Sequence, residues 1–222
     1  VALADLNEDG CSDIIVGAPG ASGGAGRVFV VLGGPNGFQT ADGQTLDGGA
    51  TAGDRFGSSL AIARNRANTG FDLWIGAPLD DVGATNSGSV VHYVITNSGG
   101  DLEFVAKTIT QNSSGVPGSS ESNDQFGAVL SATARGLLIG DQFEDVGSTK
   151  DAGSITLLAN TDNAPGFDKG YGWSQASSGV PGKAETGDHF GAAVSLSGDH
   201  LAAGVPDEDV NTSSNAGMVQ LF

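Results

Sequence analysis

The chain repeats itself, and a repeat limits the fold more than any other feature of it. Phe-Gly pairs stand at Phe56-Gly57, Phe126-Gly127 and Phe190-Gly191. An Asp lies two residues before each Phe, at Asp54, Asp124 and Asp188. A short apolar run ending in Gly follows, at Gly17-Ala18-Pro19, Gly76-Ala77-Pro78, Gly140-Asp141-Gln142 and Gly204-Val205-Pro206. The period is roughly 64 residues, so the chain holds about 3.5 units. Acidic pairs recur after the glycines, at Asp80-Asp81, Glu144-Asp145 and Glu208-Asp209. The run Ser-Gly-Val-Pro-Gly appears at 114–118 and again at 178–182.

Each unit reads as short strands. In the last unit they are expected at 190–196, 200–205 and 218–222. Earlier units add an outer fourth strand, such as 102–110 or 171–176. The runs are rich in Val, Ile, Leu and Phe and bounded by Gly, Asp, Asn and Pro. No long window carries a helical period. Four short antiparallel strands per unit make an all-β chain with the pattern of a β-propeller blade. The Phe residues are expected to fill the wedge between blades. The following Gly lets backbones approach where a side chain would clash. The units span 1–50, 51–120, 121–184 and 185–222 of one domain, the first and last incomplete.

The strongest chemical signal is Asp5-Leu6-Asn7-Glu8-Asp9-Gly10-Cys11-Ser12-Asp13. Oxygen side chains at alternate positions converge in a tight loop, and Gly10 allows its turn. Calcium takes about six to eight oxygens in flexible geometry. The expected ligands are Asp5, Asn7, Asp9, the backbone carbonyl of Cys11, and Asp13. Strand-like sequence flanks this loop, where an EF-hand has helices. The second unit aligns Arg64 with Asp5, Arg66 with Asn7 and Asp72 with Asp13. Arg64 is expected to place its guanidinium where the ion would sit and to pair with Asp72. Units three and four shorten the turn, so one calcium site is expected.

These residues resemble the FG-GAP repeat of the integrin alpha-subunit propeller. They resemble still more the secreted bacterial FG-GAP proteins, which share the Asp-x-Phe-Gly and Glu-Asp-Val pieces. The resemblance implies a propeller of about seven blades, of which this chain is half. It also implies an extracellular or cell-surface module for adhesion, ligand binding or assembly. The remaining blades are then expected from the same longer chain or from a partner subunit. Val1 opens directly on strand-like sequence with no basic leader. That fits a chain whose export signal was removed, or a piece of something longer.

Composition excludes other classes. Nine Lys plus Arg against 26 Asp plus Glu give a formal charge of −17. Nucleic acid is not an expected partner, because its phosphates need a basic face. No apolar run is long enough to insert in a membrane. One cysteine, Cys11, excludes an intrachain disulfide and a cysteine zinc site. No catalytic residue is expected. Gly20-Ala21-Ser22-Gly23-Gly24 matches a nucleophile-elbow spacing, but a strand follows where a helix is needed. His92, His189 and His200 show no metal-ligand spacing. Acidic pairs that recur in every unit suit a turn or cap better than a catalytic dyad. Trp173 and Tyr171, in a Gly-rich stretch, are candidate ligand-binding aromatics. The expected function is a non-enzymatic calcium-binding propeller with a protein or glycan ligand. The alternatives are a lectin-like propeller and the accessory propeller of a secreted hydrolase.

Overall fold

The computed structural model describes residues 1–99, 101–161 and 167–222, without the side chains of 40–42. Its strands form four antiparallel sheets, one per repeat. The first holds β1 (Ala2–Ala4), β2 (Asp13–Ala18), β3 (Arg27–Leu32) and β4 (Gln39–Leu46). The second holds β5 (Ser59–Arg64), β6 (Phe71–Ala77), β7 (Ser89–Ser98) and β8 (Asp101–Ile109). The third holds β9 (Val129–Thr133), β10 (Gly136–Asp141), β11 (Ser154–Ala159) and β12 (Lys169–Trp173). The fourth holds β13 (Ala193–Ser197), β14 (His200–Val205) and β15 (Met218–Leu221). Strands pair in chain order, as successive hairpins dictate. The inner strands touch from β1 to β5, β5 to β9 and β9 to β13. This is an all-β propeller arrangement of four blades. The first blade carries four strands, its inner one only three residues long, and the last carries three.

The blades pack face to face, so the middle strands are covered on both sides. Every residue of β6 is buried, Asp72 included. That is why these strands read as continuous apolar runs and not as alternating ones. Phe56, Phe126 and Phe190 are each 0% exposed and belong to clusters that join successive blades. The sequence places Phe190 at the start of a strand, but β13 begins at Ala193. The backbone turns left-handed at His189 (φ 56°) and Gly191 (φ 91°), which breaks the extended run. Phe190 instead bridges to Gly153 of the preceding blade, its N–H donating to the Ala152 carbonyl at 3.0 Å. Phe56 and Phe126 bridge to Gly26 and Gly88 in the same way. The Phe-Gly motif is therefore a connection between blades in backbone as well as side chain.

The second glycine marker completes that joint. A Cβ on Gly17, Gly76 or Gly140 would stand 2.0 Å from the carbonyl oxygen of Gly57, Gly127 or Gly191 respectively. Each is a backbone atom of the next blade, and no rotamer change relieves such a contact. Gly76→Ala is therefore expected to push blades two and three apart and destabilise the chain by about 1–3 kcal/mol or more. Urea unfolding would show it as a lower midpoint. An unchanged midpoint would contradict the close approach.

The Asp of each Asp-x-Phe-Gly motif is buried and closes the loop before it. Asp54 accepts the Thr51 N–H at 2.5 Å, Asp124 the Glu121 N–H at 2.5 Å, and Asp188 the Glu185 N–H at 2.6 Å. A carboxylate three residues downstream thus holds the turn that delivers Phe to the blade junction.

Candidate functional site

The loop between β1 and β2 gathers oxygen atoms by local geometry. Glu8 (φ 61°) and Gly10 (φ 87°) turn the chain back on itself. Asp5 then accepts the N–H of Asp9 at 3.0 Å and of Gly10 at 2.9 Å. Asn7 Oδ1 accepts the Asp9 N–H at 3.2 Å, and Asp9 Oδ1 accepts the Cys11 N–H at 2.8 Å. Asp5, Asn7 and Asp9 thus share one turn. Asp13 lies differently. It is 0% exposed and anchors the loop from below, accepting the N–H of Leu6 and of Gly33 at 2.7 Å each. Cys11 carries a free thiol, pushed above its ordinary pKa by desolvation and then by the Asp9 charge. Its side chain therefore stays protonated beside the carboxylates, leaving its carbonyl as the useful atom. Among the described residues, no group of three or more His, Cys, Asp and Glu side chains stands ready to hold a metal ion. The donor set is nonetheless all hard oxygen, and a carboxylate oxygen holding one N–H keeps a second lone pair.

Arg64 does not pair with Asp72. Its Nη1 meets Glu8 Oε1 at 2.8 Å, on the loop of the first blade, and its guanidinium lies 4.6 Å from the Phe71 ring centroid. Asp72 is taken by His92, whose Nε2 stands 2.8 Å from Oδ1, and the imidazole stacks on Trp74 at 3.7 Å. Arg64 at the strand end reaches outward, while Asp72 faces the packed interior. The Asp–His pair is buried, His92 3% and Asp72 6% exposed, with His92 at the edge of a cavity of about 200 Å³. His189 pairs with Asp207 at 2.8 Å. Ser22 lies in a four-residue helical turn, Ala21–Gly24, at φ 54°, and accepts a hydrogen bond from Arg27 Nε at 2.8 Å, where β3 begins.

The acidic pairs divide their work by position. The second member caps its turn: Asp81, Asp145 and Asp209 accept the N–H of Asn86, Asp151 and Asn215. The first member reaches sideways. Glu144 accepts from Gln111 at 2.6 Å and Glu208 from Gln175 at 2.5 Å, each across a blade junction. The shorter Asp80 stays on its own blade with Ser89, at 2.7 Å.

Tyr171 and Trp173 stack on one another with centroids 6.0 Å apart. Trp173 also packs on Phe222, at 5.9 Å, and lines a cavity of about 310 Å³ with Gln111 and Glu144. Tyr171 is 42% exposed and lines a different cavity of about 280 Å³.

Residues 1–31 and residues 173–222 each match the FG-GAP repeat family. This chain carries FG-GAP repeats. The match at 1–31 spans the oxygen-lined loop, and the match at 173–222 spans Phe190-Gly191 and Gly204-Val205-Pro206. Chicken (Gallus gallus) integrin alpha-6 is 36% identical over 90 residues, covering 40% of this chain and 8% of that protein. Human integrin alpha-IIb is 42% identical over 77 residues, covering 34% and 7%. Human phosphatidylinositol-glycan-specific phospholipase D is 37% identical over 111 residues, covering 44% and 13%. The FG-GAP chain thus matches only a small part of the length of these relatives. Among the described residues, no helix is long and apolar enough to cross a membrane.

Two features of the FG-GAP propeller escape a reading of its motifs. Asp141 is 0% exposed, and its Oδ1 has no hydrogen-bond partner. The signal for it is present, because Ala18, Ala77 and Val205 stand at the same place in the sister repeats. The second is the cavity beside Tyr171, where Arg66 of the second blade and Arg135 of the third meet β14 of the fourth. No local pattern announces it.

Proposed function

We propose that the chain is a non-enzymatic, extracellular or cell-surface propeller module, stabilised by one calcium ion and serving adhesion, ligand binding or assembly. The observation that carries this reading is the turn that brings Asp5, Asn7 and Asp9 together within a matched FG-GAP repeat. Asp5, Asn7, Asp9, the Cys11 carbonyl and Asp13 would hold the ion. When bound, calcium would supply a double positive charge to a loop whose carboxylates meet backbone N–H groups and whose Glu8 meets Arg64. The similarity to integrin alpha chains supports the adhesion reading.

Calcium binding stabilises a fold by mass action, about 2.7 kcal/mol at a hundredfold excess over the dissociation constant. Equilibrium dialysis is expected to give one calcium per chain. Thermal unfolding is expected at a higher temperature with calcium than with chelator, and Asp5→Asn with Asp9→Asn together should abolish the difference. A wild-type chain that retains no calcium would overturn the reading.

The remaining blades of a propeller of about seven would come from the same longer chain or from a partner subunit. Gly204 supports this. Its counterparts each meet the next blade, whereas a Cβ on Gly204 would meet only Ala193, at 3.5 Å. Native mass spectrometry of the chain is expected to show an assembly; a stable lone monomer would favour a compact four-blade form. A second reading, the accessory propeller of a secreted hydrolase, is favoured by the phospholipase D similarity. A catalytic domain encoded in the same gene would establish it. In a lectin-like propeller Tyr171 would be the more accessible of the two aromatics, because Trp173 packs against Phe222.

A further inference from the structure

The cleft between the third and fourth blades joins two kinds of surface. Its floor is apolar, with Leu157, Ala159, Leu196 and Leu201, and Tyr171 forms a wall. Its polar side carries Arg66 and Arg135. Arg66 Nη1 donates to the Asn160 carbonyl at 2.6 Å, which fixes the side chain across the blade junction. Arg135 Nη1 meets Asp199 Oδ1 at 2.5 Å, and Asp199 also borders the cleft. A guanidinium has five N–H donors, so both arginines keep most of theirs free. The chain has nine cationic residues against 26 acidic ones, and two of the nine converge here. Two arginines against one carboxylate, Asp199, leave the lining one net positive charge on a strongly negative protein, which favours a negative ligand.

We propose that this cleft captures the C-terminal residue of a peptide, with its apolar side chain on the leucine floor and its α-carboxylate on Arg66 and Arg135. The proposal rests on the ligand-binding reading above and names the ligand chemistry. A carboxylate on paired guanidiniums forms strong charge-assisted hydrogen bonds. At about 280 Å³ the cavity is small for a ligand site, with room for one side chain and a carboxylate. An apolar floor next to a cationic edge matches a carboxylate attached to an apolar group. A polyhydroxylated ring would leave the three leucines without suitable contacts. A chain terminus supplies a carboxylate beside an apolar side chain, the pairing this lining offers.

The test uses the full chain with calcium and a short fluorescent peptide ending in leucine. The free acid is expected to bind about tenfold or more tightly than the same peptide amidated, the loss of a charged hydrogen-bonding group. A peptide ending in serine should bind more weakly as well. Arg66→Gln and Arg135→Gln should each weaken the free acid about tenfold while leaving the amide unchanged. Arg135→Lys should restore part of the loss. Equal binding of acid and amide would overturn the proposal, as would indifference to both arginine substitutions. Isocaproate binding as tightly as the peptide would assign the cleft to small organic acids, and tighter binding of glucuronate would assign it to acidic sugars; either result rejects a peptide terminus. Calcium is titrated in the same sample. Calcium binding without peptide binding rejects the cleft alone, and peptide binding without calcium rejects only the calcium reading.

Discussion

Phe126→Ala is expected to destabilise the chain by about 3–5 kcal/mol, the range for removing a fully buried aromatic ring. Phe126 is 0% exposed and packs in a cluster with Val90, Ile109, Leu137 and Ile139, drawn from two blades. The vacated space would not close easily. The residue's own N–H is held by the Ser87 carbonyl at 2.9 Å, and a Cβ on Gly88 would already clash with the Phe126 backbone. Substitution therefore removes the ring while its backbone stays pinned, which leaves a cavity. Urea unfolding followed by fluorescence would read the change as a lower midpoint with a similar slope. Phe38, 57% exposed, serves as the control, and its alanine variant should move stability by no more than about 0.5 kcal/mol. Equal effects at the two positions would contradict the wedge role.

Asp141→Ala is expected to act in the opposite direction. The wild-type carboxyl is fully buried with Oδ1 unpartnered, Thr156 Oγ1 at 3.4 Å from Oδ2, and only a weak pull from the Gly127 N–H. Burial, and then the Glu144 charge, hold its pKa well above the carboxylate range. An unsatisfied buried polar group costs about 1–3 kcal/mol, and alanine, present in two sister repeats, removes that cost. Two neighbours extend the effect. Burial raises Asp124 to about 6 against the pull of the Glu121 N–H, and raises Glu144 to about 7 against the pull of Gln111. A carboxyl whose folded pKa is raised binds more protons folded than unfolded. Its favourable contribution is complete below the unfolded pKa, near 4, and is lost as pH rises through the folded value. Stability is thus expected to fall between about pH 4 and pH 7 from these groups. Lys150, paired with Asp145 nearby, moderates the charge that develops. Urea midpoints at pH 5 and at pH 7.5 would measure the fall, and Asp141→Ala should reduce it. A wild-type chain more stable at the higher pH would contradict this account.

The blades, the interblade Phe residues and the glycine joints were legible because each depends on spacing within one repeat. The oxygen-bearing loop was legible for the same reason, since its turn is local. Spacing alone says nothing of the anchoring bond Asp13 accepts from Gly33, which comes from the next hairpin. Arg64 and Asp72 fall on aligned positions, yet their partners were set by tertiary neighbours. Asp72 met His92 across the β6–β7 ladder, and Arg64 met Glu8 on another blade. The beginning of β13 was misplaced because a left-handed residue before Phe190 leaves no trace in hydrophobic pattern. The Arg66, Arg135 and Tyr171 cleft draws on three blades, and repetition says nothing about positions where the repeats differ.

The residue between Asp and Phe in each Phe-Gly joint has one backbone conformation and three chemistries. Arg55, Gln125 and His189 adopt φ of 58°, 57° and 56°. None of them is a glycine or asparagine, so each joint carries the conformational cost of a side chain in the left-handed region. That cost falls on every side chain with a Cβ, and histidine meets it more readily than arginine or glutamine. Cation, amide and imidazole thus stand at equivalent points between the same buried Asp and Phe. The joint works as a socket: its shape is held by packing, and each blade seats a different side chain in it, His189 on Asp207 in the last. A propeller made this way can change the surface it shows to a partner one blade at a time, with no renegotiation of its core.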